Sequence, residues 1–292
     1  MDQAEKLRNV IKLKNQQQAM SAREITVTSG KGGVGKSNVA VNLAVQMTKL
    51  GKKVLIFDAD FGLANVEVMF GAIPKYNLGD LIYRGKNIRE IVTEGPMGIG
   101  FISGGAGIMG LNNLTKDQIL YFIKCLRELD ELADVIIVDT GAGISDSVLE
   151  FVMASPEVVL VTTPDPSSLT DSYSLLKTLY RNPNFLREET EIRVLSNRVT
   201  SLEEGQNVYD KLNSVVEQFL EGTVDYLGTI PQDFMLERSV RAQKPVSIHA
   251  PEARSAKAFE VIAVNLLEHE HNLPKLHWGI AQVFSDLINH KQ

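Results

Sequence analysis

One cysteine, Cys125, in 292 residues excludes an internal disulfide and leaves no CxxC pair for a metal or a redox couple. A reducing cytoplasm is the compartment that fits. Excess positive charge is also missing. The chain carries 30 Lys and Arg against 36 Asp and Glu, a net charge of −6, so no global field draws it to nucleic acid. No apolar run approaches the roughly 20 residues that cross a bilayer. The N-terminus is charged where a signal peptide would be apolar. The expectation is a soluble protein, still free to lie on a membrane surface. A 44% hydrophobic content is enough for one sizeable core with short appendages.

What is present is an alternation. Short apolar, β-branched runs at Ile25–Thr28, Val54–Asp58, Ile99–Ser103, Val135–Asp139, Val158–Thr162, Ile192–Ser196 and Val224–Ile230 read as buried strands. Helical patterns over Ser37–Leu50, Lys116–Leu132, Ser145–Ala154, Ser168–Tyr180, Ser201–Leu220 and Ser255–His271 separate or follow them. This order predicts an α/β fold: a doubly wound, mostly parallel sheet with helices on both faces. Ligands of such sheets sit at the carboxyl ends of the strands. Gly71–Pro74 and Gly104–Gly110 read as surface loops.

The first strand is followed by Gly30-Lys31-Gly32-Gly33-Val34-Gly35-Lys36-Ser37, and a helix opens directly after it. That is the strand–loop–helix setting a P-loop requires. Glycines let backbone N–H groups turn onto phosphate oxygens, and the helix N-terminus adds favourable partial charge. Lys36 is expected to reach the β- and γ-phosphates and the Ser37 hydroxyl to ligate Mg²⁺. Lys31 lies too far forward for its own nucleotide's β/γ-phosphates, but has the reach to touch a second subunit's. The second strand ends in Asp58-Ala59-Asp60, two carboxylates on one face. The fourth predicted strand ends in Asp139-Thr140-Gly141-Ala142-Gly143, an apolar strand closed by the carboxylate that holds Mg²⁺, usually through water.

Lys31 to Ser37 resembles the deviant P-loop of the MinD/ParA family of P-loop NTPases, and residues 24–265 as a whole look MinD-like. The resemblance implies binding of ATP or ADP with Mg²⁺ at Gly30, Lys31, Gly32, Gly33, Val34, Gly35, Lys36, Ser37 and Asn38. It implies slow hydrolysis in an ATP-dependent homodimer, with Lys31 contacting nucleotide across the interface. It makes Asp60 the residue that positions or deprotonates the attacking water, with Asp58 near Mg²⁺ beside Ser37 and Asp139. Asn197-Arg198 and Pro231-Gln232-Asp233 resemble the family's adenine-binding segments. No Asn-Lys-x-Asp guanine motif is present, which favours ATP over GTP. Iron–sulfur members of the family need ligating cysteines that this chain does not carry.

The two ends separate the remaining branches. Three parts are expected: an extension over 1–23, the ATPase domain over 24–272 and a C-terminal amphipathic helix over 273–292. Leu276, Ile280, Val283, Phe284, Leu287 and Ile288 form an apolar stripe that suits a membrane interface or a packing face. Asp2-Gln3-Ala4-Glu5-Lys6-Leu7-Arg8 resembles the N-terminal segment of the FlhG-type (YlxH-like) branch, the flagellar number and placement regulators. In that branch the segment stimulates the signal-recognition-type GTPase FlhF, which makes Gln3 the residue completing the partner's site. The resemblance implies further partners in the flagellar switch ring, and a cytoplasmic protein peripheral at the inner face of the cell membrane as the ATP dimer. No nucleic-acid partner is expected. A MinD-type septum-placement ATPase and a ParA-type DNA-partition ATPase remain the alternatives.

Overall fold

The computed structural model describes residues 22–60, 65–105, 121, 125, 126 and 128–268. The N-terminal segment with Gln3 and the apolar stripe Leu276–Ile288 lie outside the described residues. Within them, β1 (Arg23–Thr28), β2 (Val54–Ala59), β4 (Gly100–Ser103), β5 (Val135–Thr140), β6 (Glu157–Thr162), β7 (Glu191–Val199) and β8 (Asp225–Pro231) run parallel. A short β3 (Thr93–Glu94) pairs antiparallel with β4 and was not expected. The eight-stranded order is β3-β4-β2-β5-β1-β6-β7-β8. The winding reverses about β1, which places the switch-point crevice above the carboxyl ends of the central strands.

Helices cover both faces. On one lie α1 (Lys36–Lys49), α2 (Asn65–Phe70), α9 (Val246–His249) and α10 (Arg254–Glu268), around Ile25, Val27, Ile137, Val159 and Leu195. On the other lie α3 (Leu78–Arg84), α4 (Ile88–Ile91), α5 (Asp146–Ala154), α6 (Pro166–Arg181) and α7 (Leu202–Leu220). Adjacent strand residues serve opposite faces: Val135 and Ile137 pack under α1, Ile136 and Val138 against the other layer. Each such buried aliphatic side chain contributes about 1.5–3 kcal/mol.

The expected helix over Lys116–Leu132 stops short. Residues 128–132 form turns in which Glu128 N, Leu129 N and Leu132 N donate to carbonyls three residues back. This tightening swings Leu129 into the core beside Leu126. Cys125 is buried in that same cluster, a structural placement. Arg23 is the first residue of β1.

At the amino-terminal edge of β1, Glu24 is buried, and Ser155 Oγ donates to its Oε1 at 3.2 Å. Burial pushes its pKa up to about 8, with Ser155 lowering and Asp130 raising it further. The folded state therefore holds a proton that the unfolded chain releases near 4.5. Stability is lost as pH rises from that value through 8, by a few kcal/mol at most. Glu24→Gln, neutral throughout, should raise Tm by about 5 °C or more at pH 9 and by little at pH 5. A Tm difference that does not change with pH would refute the assignment.

Candidate nucleotide site

The loop Gly30–Gly35 links the end of β1 to α1. Gly30 touches the backbone of α6: a Cβ there would overlap Asp171 and Ser172. Gly35 sits at φ 103°, a left-handed conformation that glycine adopts without strain. It leaves α1 without a side-chain cap and with no acidic residue in the first turn. By contrast, Asn77, Asn87, Asp165, Ser201 and Asp233 cap α3, α4, α6, α7 and the later α8 (Phe234–Arg241). The open amides of α1 form an anion receptor.

Three carboxylates face this receptor. Asp139 is adjacent in register to Asp58 on β2 and to Val27 on β1. It is fully buried, and neither of its oxygens has a hydrogen-bond partner of good geometry among the described residues. Burial pushes its pKa up to about 7, against the lowering influence of the Ser37 hydroxyl and the Lys36 ammonium. Asp58 is buried too. It accepts from Asp60 N at 3.2 Å and Val66 N at 3.3 Å, so it ties the end of β2 to the start of α2. Burial and then Asp139 push its pKa up to about 8. Asp60 is half-buried just past β2, and Asn65 Nδ2 donates to its Oδ2 at 3.1 Å. Burial raises its pKa while Lys36 lowers it. Lys36 is itself buried, and desolvation holds its pKa below the usual lysine value against the pull of Asp139 and Asp60.

The orphaned oxygens of Asp139, beside Ser37 and above an uncapped helix, fit a divalent cation carried in with phosphate. Among the described residues no group of three His, Cys, Asp or Glu is arranged to hold a metal by itself. Mg²⁺ takes one or two carboxylates, with phosphates and water as its other ligands. The β5 end closes the site. Gly143 N donates to Ser29 O at 2.9 Å, and Thr140 Oγ1 donates to Val27 O at 3.2 Å.

Lys31 extends to the start of α6, where it pairs with Asp165 at 3.5 Å and donates to Ser167 Oγ. Both ends of the ion pair are exposed, so the bond is weak and exchangeable.

A cleft of about 410 Å³ opens beside the loop. Gly35, Asn38, Asn197, Arg198, Pro231 and Asp233 line it together. Two of these side chains have other work as well. Asn197 Nδ2 donates to Val34 O at 2.7 Å and its Oδ1 accepts from Arg198 N, so it braces the phosphate loop. Asp233 Oδ1 caps α8 through Met235 N, and its Oδ2 accepts from Ser255 N and Oγ. That carboxylate fastens α8 to α10 and has little capacity left for a base. Arg198 holds a left-handed φ of 59° at the cleft rim, a strained conformation of the kind that recurs at ligand sites.

Sequence reasoning missed the far wall, Leu236, Val240 and Arg241 of α8. It also missed the bracing of α1. Asn42 Oδ1 accepts from Ser247 N, Gln46 Nε2 donates to Ser247 Oγ, and Lys49 Nζ donates to Ser247 O. The legible trace was a polar stripe at i, i+4 and i+7 on an otherwise apolar helix.

A family model described as the ParA-type NUBPL iron-transfer P-loop NTPase matches residues 21–267. The antiactivator FleN of Pseudomonas aeruginosa is 40% identical over 82% of this chain and 84% of its own. The flagellum site-determining protein YlxH of Helicobacter pylori is 35% identical over 90% and 89%. The septum site-determining protein MinD of the same organism is 27% identical over 84% and 91%. Among solved structures, MinD of Pyrococcus horikoshii complexed with Mg-ADP superposes with a TM-score of 0.65 at 24% identity, covering 84% of this chain and 96% of that one. Likeness at that level carries the fold. The relatives above 30% identity carry more: the chain is a P-loop ATPase of the ParA/MinD family and belongs to its FlhG (YlxH-like) branch.

Proposed function

We propose that this ATPase is an ATP-switched homodimer that controls flagellar number and placement. The observation that carries the reading is its greater identity to the flagellar proteins FleN and YlxH than to MinD, with YlxH and MinD compared in one organism. At the site, the open N-terminus of α1 and Lys36 bind the phosphates of ATP, and Ser37 and Asp139 hold Mg²⁺, with Asp58 behind them. The metal would supply positive charge against the phosphates when bound. Asn197 keeps the loop in shape, and the cleft between Arg198 and α8 takes the base. Asp60, held by Asn65, orients the attacking water and takes its proton.

Lys31 exchanges Asp165 and Ser167 for the partner subunit's nucleotide when two copies meet. Lys31→Ala should bind ATP within about fivefold of wild type, because one exposed contact is worth about 1 kcal/mol or less, yet stay monomeric on gel filtration with ATP and Mg²⁺. A variant that still dimerises removes Lys31 from the interface.

Residues 1–22 act on a signal-recognition-type GTPase of the FlhF kind. The segment is too charged and short to form a core of its own, so it docks in a partner groove, with Leu7, Val10 and Ile11 as anchors. Gln3 then supplies a carboxamide that orients water without adding charge. A peptide of residues 1–22 should accelerate that GTPase, and Gln3→Ala should remove most of the effect. Stimulation by the full chain but not by the peptide would move the activating surface to the ATPase domain. Switch-ring proteins are the other protein partners in this reading. The C-terminal stripe places the ATP dimer on the membrane, and nucleic acid has no role.

A further inference from the structure

Two polar side chains that line the cleft beside the phosphate loop are committed to the fold. Asn197 gives its Nδ2 to Val34 O and its Oδ1 to Arg198 N. Asp233 has both oxygens on α8 and α10. A different pair stands on the far wall. Gln232 follows β8 directly, and Glu237 lies one turn into α8. Both line the cleft and both are exposed. Gln232 Nε2 donates to Glu237 Oε1 at 2.7 Å. With Asp233 as the cap of α8, these are the positions where an apolar pair often packs to fix the entry of the chain. Here a polar pair takes that place and faces the cleft.

The bond between them fixes what the pair presents. A carboxylate accepts and does not donate, so the amide nitrogen of Gln232 must face it. Glu237 Oε2 takes no bond among the described residues, and the second hydrogen on Gln232 Nε2 has no acceptor among them. The cleft therefore sees an acceptor beside a donor. The edge of adenine is the complement: N6 carries hydrogens, and its ring neighbours N1 and N7 accept. Guanine sets O6 against the carboxylate and, on its Watson–Crick edge, N1–H against the amide. Arg198 and Arg241, the cations of the cleft, are donors and cannot accept from an amine. Pro231, Leu236 and Val240 supply apolar wall for the flat faces of a purine.

We propose that Glu237, held by Gln232, reads the 6-amino group of adenine and makes this ATPase prefer ATP to GTP. This rests on the reading above that the cleft takes the base. Glu237 Oε2 accepts from N6, and Gln232 Nε2 donates to the neighbouring ring nitrogen. Neither residue belongs to the phosphate loop or the acidic cluster, so the pair sets which nucleotide binds and leaves the hydrolytic groups alone.

Titration calorimetry of the full chain with Mg²⁺ and nucleoside diphosphates tests this without hydrolysis. ADP is compared with GDP and with purine riboside diphosphate, which is ADP without its 6-amino group. Wild type should bind ADP about tenfold or more tighter than purine riboside diphosphate, the worth of one hydrogen bond to a charged acceptor, and GDP more weakly still. Glu237→Ala should bind purine riboside diphosphate as wild type does and ADP about tenfold more weakly, so that the ratio falls to near one. Damage to the fold alone would weaken both ligands together and leave their ratio. An unchanged ratio in Glu237→Ala, or equal binding of the two ligands by wild type, overturns the inference. The cleft reading fails by a different result. Leu236→Trp sets an indole in the slot and should weaken ADP by about tenfold or more. ADP binding to that variant as to wild type would place the base elsewhere.

Discussion

Asp60→Ala should bind ATP within about threefold of wild type and lose about 10²–10⁴-fold in single-turnover hydrolysis, the range expected for removing a positioned general base. The three acidic residues of the site differ in what surrounds them. Asp139 and Asp58 are buried, and burial is the first cause of the raised pKa of each, with Asp139 raising that of Asp58 further. Asp58 is also committed to the backbone of Asp60 and Val66. Asp60 alone stands at the open side. One oxygen is steadied by Asn65, and the carboxylate lies near Gly141, where a Cβ would come within 3.5 Å of Oδ1. A group with one fixed and one free oxygen, in electrostatic reach of Lys36, can orient water without being needed to hold the nucleotide. Calorimetry with ATP separates the two roles. Wild-type turnover in Asp60→Ala would move water positioning elsewhere, and lost binding would make Asp60 part of the phosphate or metal cradle. Asp60→Asn should be nearly as slow, because the amide keeps the shape but cannot take the proton.

How much of this was legible in the sequence depends on the scale of the feature. The seven parallel strands were, because a strand buried on both faces must be a continuous apolar run, and Val135–Val138 or Val158–Val161 can be little else. The phosphate loop was, because its chemistry is local: glycines, Lys36 and Ser37 act through neighbouring backbone. The short β3 was not, since two residues, Thr93 and Glu94, carry no period. Helices α8 and α9, of 8 and 4 residues, are too short for periodicity, and α8 begins on an exposed Phe234. Asp233 ahead of Phe234 was the usable sign, an N-cap. Its second bond, to Ser255 22 residues on, exists only in the folded chain. The same holds for Asn197. Its identity suggested base recognition, while the bond to Val34, 163 residues away, shows it also sets the shape of the phosphate loop.

Glu157→Ala should cost about 3–5 kcal/mol, the penalty for leaving a buried charge without its partner. Glu157 opens β6 and is fully buried. It receives Arg23 from β1 through two bonds of 2.9 Å and Arg193 from β7 at 3.1 Å. Burial raises its pKa, and Arg23 and then Arg193 pull it back. The two guanidiniums are not equally exposed to its loss. Arg193 keeps Glu191, at 2.7 and 2.9 Å. Among the described residues Arg23 would keep only Leu266 O, with its Nη1 already lacking a partner there. The damage should therefore fall on Arg23 and on the attachment of α10, so that the urea midpoint drops while ATP binding in the cold survives at the opposite edge. Replacing Arg23 by Met in the same chain should recover part of the loss, because it removes the stranded charge. A loss below about 1 kcal/mol in Glu157→Ala would mean that water reaches Arg23 and the pair behaves as an exposed one. Full loss without recovery in the double variant would place the cost in the packing of β6 rather than in the charge.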